Sequence, residues 1–270
     1  MVTFLYIISL SLSFTAVGGD DCACATSNVH IRDGAGTNAE ILTTLKNHHC
    51  VKFNGTRQIV NGDRWISVIY NGKFGWIHEA YVTISSCVTH EPSSLLQLPG
   101  CPNIVTRAEW GARAPTQYAG RLPATPKYMF LHHGASSPCY TKEKCIDKVQ
   151  GYQNWHMDGH GWNDIGYSFV VGEDGNVYEG RGWDTIGAHT KHYNTVGLAI
   201  CVIGDFSDHV PNQAALDAVQ KMIACGVANN KLVSNYTMLG HRDVGSTACP
   251  GTAYYNLIQT WPHYNLKQRD

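Results

Sequence analysis

His241 and Cys249 stand eight residues apart in the stretch 239–251, L-G-H-R-D-V-G-S-T-A-C-P-G, a loop closed by Pro250 and Gly251. Imidazole and thiolate are both zinc ligands, and a loop of this length can fold back to aim both at one ion. A further donor is offered upstream by Y-M-F-L-H-H-G-A-S at 128–136, where His132 and His133 end a short apolar run bounded by Pro126 and Gly134. Such a run reads as a buried strand delivering a histidine to a sheet edge. His132, His241 and Cys249 then make a two-histidine, one-cysteine set with a fourth position left for water. That is the pattern of a catalytic zinc and not of a closed structural one. The chain has fourteen histidines, so this spacing alone is weak, and the expectation rests on agreement with the stretches between the motifs.

Those stretches alternate helix and strand. Residues 141–157 place Cys145, Ile146, Val149, Tyr152 and Trp155 near one helical face. Residues 167–171 and 177–180 flank G-E-D-G-N, a β-hairpin turn. Residues 196–203 form a nearly continuous apolar run, as a central strand should. Helices are expected from Pro211 and Asn212 to about Val227, and over 253–261. The expected architecture is α/β: a mixed central sheet with flanking helices, preceded by a small all-β barrel.

D-I-G-Y-S-F-V-V at 164–171, then G-E-D-G-N-V-Y-E-G-R-G-W, then G-A-H-T at 187–190, join the two histidine motifs in one order. From about 101 to 263 the chain resembles the peptidoglycan recognition protein family, relatives of the phage amidase-type lysozymes. The resemblance implies Zn2+ as cofactor, bacterial peptidoglycan (muropeptides) as partner, and hydrolysis of the bond between N-acetylmuramic acid and L-alanine of the stem peptide. It also implies roles. Tyr167 matches the tyrosine of amidase-competent members, a donor to the tetrahedral oxyanion. Thr247 matches the position where phage relatives carry lysine and animal amidases threonine, a catalytic position that would orient the water or the oxyanion. Gly161 and Trp162 match members that favour diaminopimelate-type stems, and Arg181 matches the arginine expected to grip the extra carboxylate. His189 resembles a groove-lining residue. Cys139 with Cys145, and Cys101 with Cys225, match the family's two bridges. Plainer readings stand beside these: a core tyrosine at 167, a loop cap at Thr247 and a solvated turn charge at Arg181. His133, pointing to the opposite face, is read as structural.

Two other functions compete. Non-catalytic receptors of the family typically replace the cysteine ligand, whereas Cys249 is present here with both histidines. A structural zinc protein would need a fourth ligand, and His133 is the residue nearest to supplying one.

Composition is globular, 43% hydrophobic and 15% charged with formal net charge −1, and no basic block recommends nucleic acid. An apolar run from Phe4 to Val17, followed by small residues, reads as a cleaved signal peptide over 1–19. No later stretch reaches transmembrane length, and the mature protein is expected to be secreted. Ten cysteines fit an oxidising compartment. Cys22, Cys24, Cys50 and Cys87 allow three pairings, and Cys201 in an apolar run reads as a buried thiol. Asn54 and Asn235 each open an Asn-X-Thr acceptor pattern.

Residues 22–87 consist of short strands punctuated by turns, and N-V-H-I-R-D-G-A-G-T with W-I-S-V-I-Y-N-G-K-F-G-W-I is similar to bacterial-type SH3 domains. Such barrels often bind cell walls; a plain spacer is the other reading. Trp65, Tyr70, Trp76 and Tyr81 serve equally well as core. Residues 88–100, with two prolines, read as a linker in which Leu95, Leu96 and Leu98 can pack on either domain, and 101–267 as the recognition/amidase domain.

Overall fold

The computed structural model describes residues 21–47, 49–70, 73–87 and 96–265. The expected signal peptide and residues 88–95 of the expected linker lie outside the described residues.

The front of the chain is an antiparallel barrel of β1 (Asp21–Ala25), β2 (Val29–Arg32), β3 (Ile41–Leu45), β4 (His49–Val60), β5 (Asp63–Tyr70), β6 (Lys73–His78) and β7 (Val82–Ser86). They are ordered β3-β2-β6-β5-β4-β1-β7. In β2 the period of two is plain: Val29 and Ile31 are buried while His30 faces out. Ile31, Leu45, Ile66, Val68 and Ile77 fill the interior. Of the three possible front pairings the fold forms Cys22–Cys87 and Cys24–Cys50. Of the four barrel aromatics only Trp65 is fully buried, and Tyr81 is exposed.

The rest of the chain builds a six-stranded mixed sheet from β8 (Ile104–Val105), β10 (Tyr128–His133), β11 (Phe169–Val171), β12 (Val177–Glu179), β13 (Gly197–Val202) and β14 (Thr237–Gly240). The order is β14-β10-β13-β11-β12-β8. Strands β10 and β13 are buried along their whole length, which is why they read as continuous apolar runs. Helix α1 (Lys142–Asn154) covers one face, with Cys145 and Val149 against Trp110, Val170 and Tyr178. Helices α2 (Gln213–Ala228) and α3 (Thr252–Ile258) cover the other, with Val219, Met222 and Ile258 among Leu131, Phe169 and Ile200. Each such side chain contributes roughly 1.5–3 kcal/mol through burial. Both long helices start on a capping side chain: Thr141 accepts from Lys144 N–H and Asn212 from Ala215 N–H. Removing either cap costs about 1 kcal/mol. Cys101–Cys225 ties the start of this region to α2, and Cys139–Cys145 closes the turn into α1.

Two local expectations change, and a third is decided. Helix α1 stops at Asn154 and passes into a wider π turn (Trp155–Gly159), which buries His156 and Met157 and leaves Trp155 61% exposed. Leu96, within the expected linker, packs on the second region: it is fully buried in the sheet's core, and its carbonyl accepts from Trp183 Nε1 at 3.2 Å. Strand β11 starts at Phe169 and not at 167, so Tyr167 precedes it.

A short strand, β9 (Tyr118–Ala119), leaves the second region to pair with barrel strand β4, His49 opposite Ala119 and Cys50 opposite Tyr118. Tyr118 also packs on the front cysteine cluster.

Candidate metal centre and the groove beside it

Strand register brings the two histidines together. β10 and β14 run parallel with Leu131 opposite Gly240, so the next residues, His132 near the end of β10 and His241 just past β14, come side by side. Their ring centroids are 4.5 Å apart. The carboxyl end of a parallel sheet is where chains diverge and ligands find room. After β14 a tight turn (His241–Asp243) is fixed by Asp243, whose Oδ2 accepts from Gly240 N–H at 2.8 Å and whose Oδ1 accepts from Tyr255 OH at 2.6 Å. The loop then returns, Arg242 N–H donating to the Cys249 carbonyl at 2.9 Å, and this closure sets Cys249 beside the histidines.

One donor atom from each of His132, His241 and Cys249 lies within 4.8 Å of the others, and no fourth His, Cys, Asp or Glu among the described residues joins them. Cys249 Sγ is 3.6 Å from His132 Nδ1. Tetrahedral zinc with bonds of about 2.3 Å to sulfur and 2.0–2.1 Å to nitrogen requires a separation of roughly 3.5 Å between those ligands. The set therefore fits the ion. Protonation fits for the imidazoles as well: burial, with the nearby His241 and His189 rings, holds His132 well below the ordinary histidine value, and burial lowers His241. Both are neutral, as metal ligands must be. Burial pushes the Cys249 thiol up to about 12, opposed by the His133 N–H that donates to its sulfur at 3.4 Å. A cation in the cluster would reverse that sense and favour thiolate. His133 itself turns away, its Nδ1 accepting from Phe206 N–H at 3.3 Å, so it is not a fourth ligand.

Tyr167 is half-buried against the cluster, its ring 5.3 Å from that of His132. Burial raises its phenol well above the ordinary tyrosine value, which keeps the O–H as a donor. Thr247 Oγ1 accepts from Cys249 N–H at 3.1 Å, which orients the cysteine loop.

Gly161 and Trp162 lie at the surface, and Trp162 is joined to this cluster through the rings of His156 and Tyr167, 5.3 Å apart. Gly161 has φ 67°, with open space where a side chain would point. Trp162 stacks on His156 and His160, centroids 4.7 and 5.0 Å away. Gly166 permits a close approach: a Cβ there would lie 2.5 Å from the Ala188 carbonyl oxygen.

Two expected surface residues are not at the surface. Arg181, expected either as a solvated turn charge or as a carboxylate grip, is buried. Its Nε donates to the Ile165 carbonyl at 2.6 Å, Nη1 to Ile186 at 2.8 Å and Nη2 to Asn163 Oδ1 at 2.7 Å. The guanidinium thus bridges the 161–166 loop, at Ile165 and Asn163, to the Ile186 carbonyl. His189, expected to line the groove, is buried behind His132, with Nδ1 3.0 Å from Thr190 Oγ1.

A family model described as N-acetylmuramoyl-L-alanine amidase matches residues 122–252, and one described as bacterial SH3 domain matches 27–83. Peptidoglycan recognition protein 1 of Bos taurus is 44% identical over 165 residues, 61% of this chain and 86% of that protein. The chain belongs to the peptidoglycan recognition protein family. A mouse protein named N-acetylmuramoyl-L-alanine amidase is 40% identical over 168 residues, 61% of this chain and 32% of that longer one. Among solved structures, Drosophila PGRP-LB superposes with TM-score 0.60 at 37% identity, covering 62% of this chain and 99% of that one. PGRP-LE in complex with tracheal cytotoxin, described as monomeric diaminopimelic acid-type peptidoglycan, gives 0.60 at 36%, covering 62% and 98%.

Against this family background the residues that sequence reading missed are the supports. Thr190 Oγ1 lies 3.3 Å from His132 Nε2, and Asn194 Oδ1 accepts from the N–H groups of both His189 and Thr190 at 2.9 Å. Thr190 stood in the G-A-H-T motif, but its neighbour His189 carried the more conspicuous chemistry. Nothing local marks Asn194 or Asp243.

Proposed function

We propose that this protein is a secreted, zinc-dependent N-acetylmuramoyl-L-alanine amidase of innate immunity. It binds bacterial peptidoglycan and hydrolyses the amide between the lactyl group of N-acetylmuramic acid and L-alanine. The observation that carries the reading is the three-donor cluster of His132, His241 and Cys249, with His133 turned away and the Tyr167 ring beside it. A zinc ion held by those donors would supply Lewis acidity and lower the pKa of a water towards roughly 7.

The remaining work falls to the chain. His132 and His241, kept neutral by burial, present lone pairs and do not compete for the water's proton. Tyr167, kept protonated, donates its phenolic hydrogen to the carbonyl oxygen as negative charge develops there. Thr247 fixes the cysteine loop through the Cys249 N–H. The stem peptide runs along the surface of Gly161 and Trp162. Gly161, with open space above it, leaves room for the additional carboxylate of diaminopimelate, so diaminopimelate-type walls are cut faster than lysine-type walls. Arg181 assists from below by holding the loop and does not grip that carboxylate directly. Four disulfides among the described residues suit an oxidising, extracellular destination, and among those residues no helix is long and apolar enough to cross a membrane.

The test is hydrolysis of purified diaminopimelate-type peptidoglycan with zinc, with chelator and by Cys249→Ser. New L-alanine amino termini that vanish in the chelated and mutant samples are expected. Binding of the wall without any release would instead make the protein a non-catalytic receptor.

A further inference from the structure

The barrel and the amidase region share a cleft of about 330 Å³, within the roughly 300–1,000 Å³ range of small-ligand sites. The barrel side carries Lys46, His49 and Tyr70; the other side carries Gln117, Gly161 and Trp162. Its walls are held in place by three contacts. β9 pairs with β4, His49 Nδ1 meets Gln117 Oε1 at 3.1 Å, and Tyr118 packs on the front cysteine cluster. At one end the cleft is continuous with the Gly161–Trp162 surface assigned above to the stem peptide.

We infer that the barrel extends that peptide site: the distal part of the stem, beyond the residue seated at Gly161 and Trp162, lies in this cleft with its terminal carboxylate at Lys46. This rests on the muropeptide reading of the groove. Three features select the occupant. The lining holds a lysine and no carboxylate among its described residues, so it favours an anion. Lys46 is exposed, so its side chain is open to an incoming ligand. The remaining lining is hydroxyl, amide and aromatic, which suits an extended peptide's amides and small side chains better than an apolar guest. The barrel is then neither a spacer nor a separate wall anchor. It reads how long the stem is.

The experiment compares two ligands on the full chain carrying Cys249→Ser, so that nothing is cleaved: muramyl tripeptide and muramyl pentapeptide, titrated calorimetrically. The pentapeptide is expected to bind about tenfold more tightly, the size of one partly screened charge-assisted contact. Lys46→Glu should collapse the ratio of the two affinities towards one, as should amidation of the pentapeptide's terminal carboxylate. An unchanged thermal midpoint shows that the substituted barrel is folded. A ratio near one in the parent protein, or one that survives Lys46→Glu, overturns the inference and leaves the amidase reading intact. Failure of both ligands to bind the parent overturns the inference and the muropeptide reading together.

Discussion

The Thr190 hydroxyl lies 3.3 Å from His132 Nε2, and the other nitrogen of that ring, Nδ1, lies 3.6 Å from Cys249 Sγ. For Nδ1 to offer its lone pair to a metal, Nε2 must carry the proton, and Thr190 Oγ1 is the acceptor that holds it there. Thr190→Val keeps the shape and removes the acceptor. It is expected to weaken zinc affinity by about 10–100-fold, read by competition with a chromogenic chelator, while Thr190→Ser restores most of it. Equal zinc affinity in all three proteins would remove this role.

Tyr167→Phe leaves the ring beside His132 and deletes only the donor. A drop in kcat of about 10²–10³-fold, with zinc content and muropeptide affinity unchanged, is the signature of a group that acts on the oxyanion. A fall in affinity at constant kcat would place the hydroxyl in ground-state binding instead.

Arg181→Ala tests where the guanidinium works. It leaves the Ile165 and Ile186 carbonyls and Asn163 Oδ1 without their buried donor. The expected cost is about 3 kcal/mol, which lowers Tm by about 6–12 °C in a region of this size. Wild-type stability with a lost preference for diaminopimelate-type walls would show instead that the side chain faces the ligand.

His156 gives the protein a pH dependence. Burial, assisted by His160 and Arg181, lowers its pKa from 6.5 to about 4, and its Nδ1 accepts from Gly166 N–H at 3.1 Å. The unfolded chain therefore binds a proton between pH 6.5 and 4 that the folded chain refuses. Stability is full above the unfolded value, falls as pH drops towards 4 and levels below it. His189, buried and beside Arg181, shifts the same way, to about 3. His156→Asn keeps an acceptor for Gly166 and removes the titration. Urea midpoints at pH 7 and pH 4.5 should converge in the variant, by up to about 3 kcal/mol relative to wild type; parallel losses in both proteins would exclude His156 as the source.

The amino-acid order by itself determined the donor set and the class of fold, because both are written in short-range patterns. His132 ends an apolar run that reads as a buried strand, and His241 and Cys249 share one loop, so their meeting needs little more than strand pairing. The barrel's alternating short strands are equally local. Tertiary structure decided what depends on partners far along the chain. Arg181 turns inward because the carbonyls of Ile165 and Ile186 wait there. Thr190 becomes a support because β10 carries His132 past it, and Leu96 packs on the second region and not on the barrel, where Trp183 bonds its carbonyl. The barrel meets the groove because two residues of β9 pair with β4. A side chain's type fixes what it can bond. Only the fold fixes which partner is left within reach.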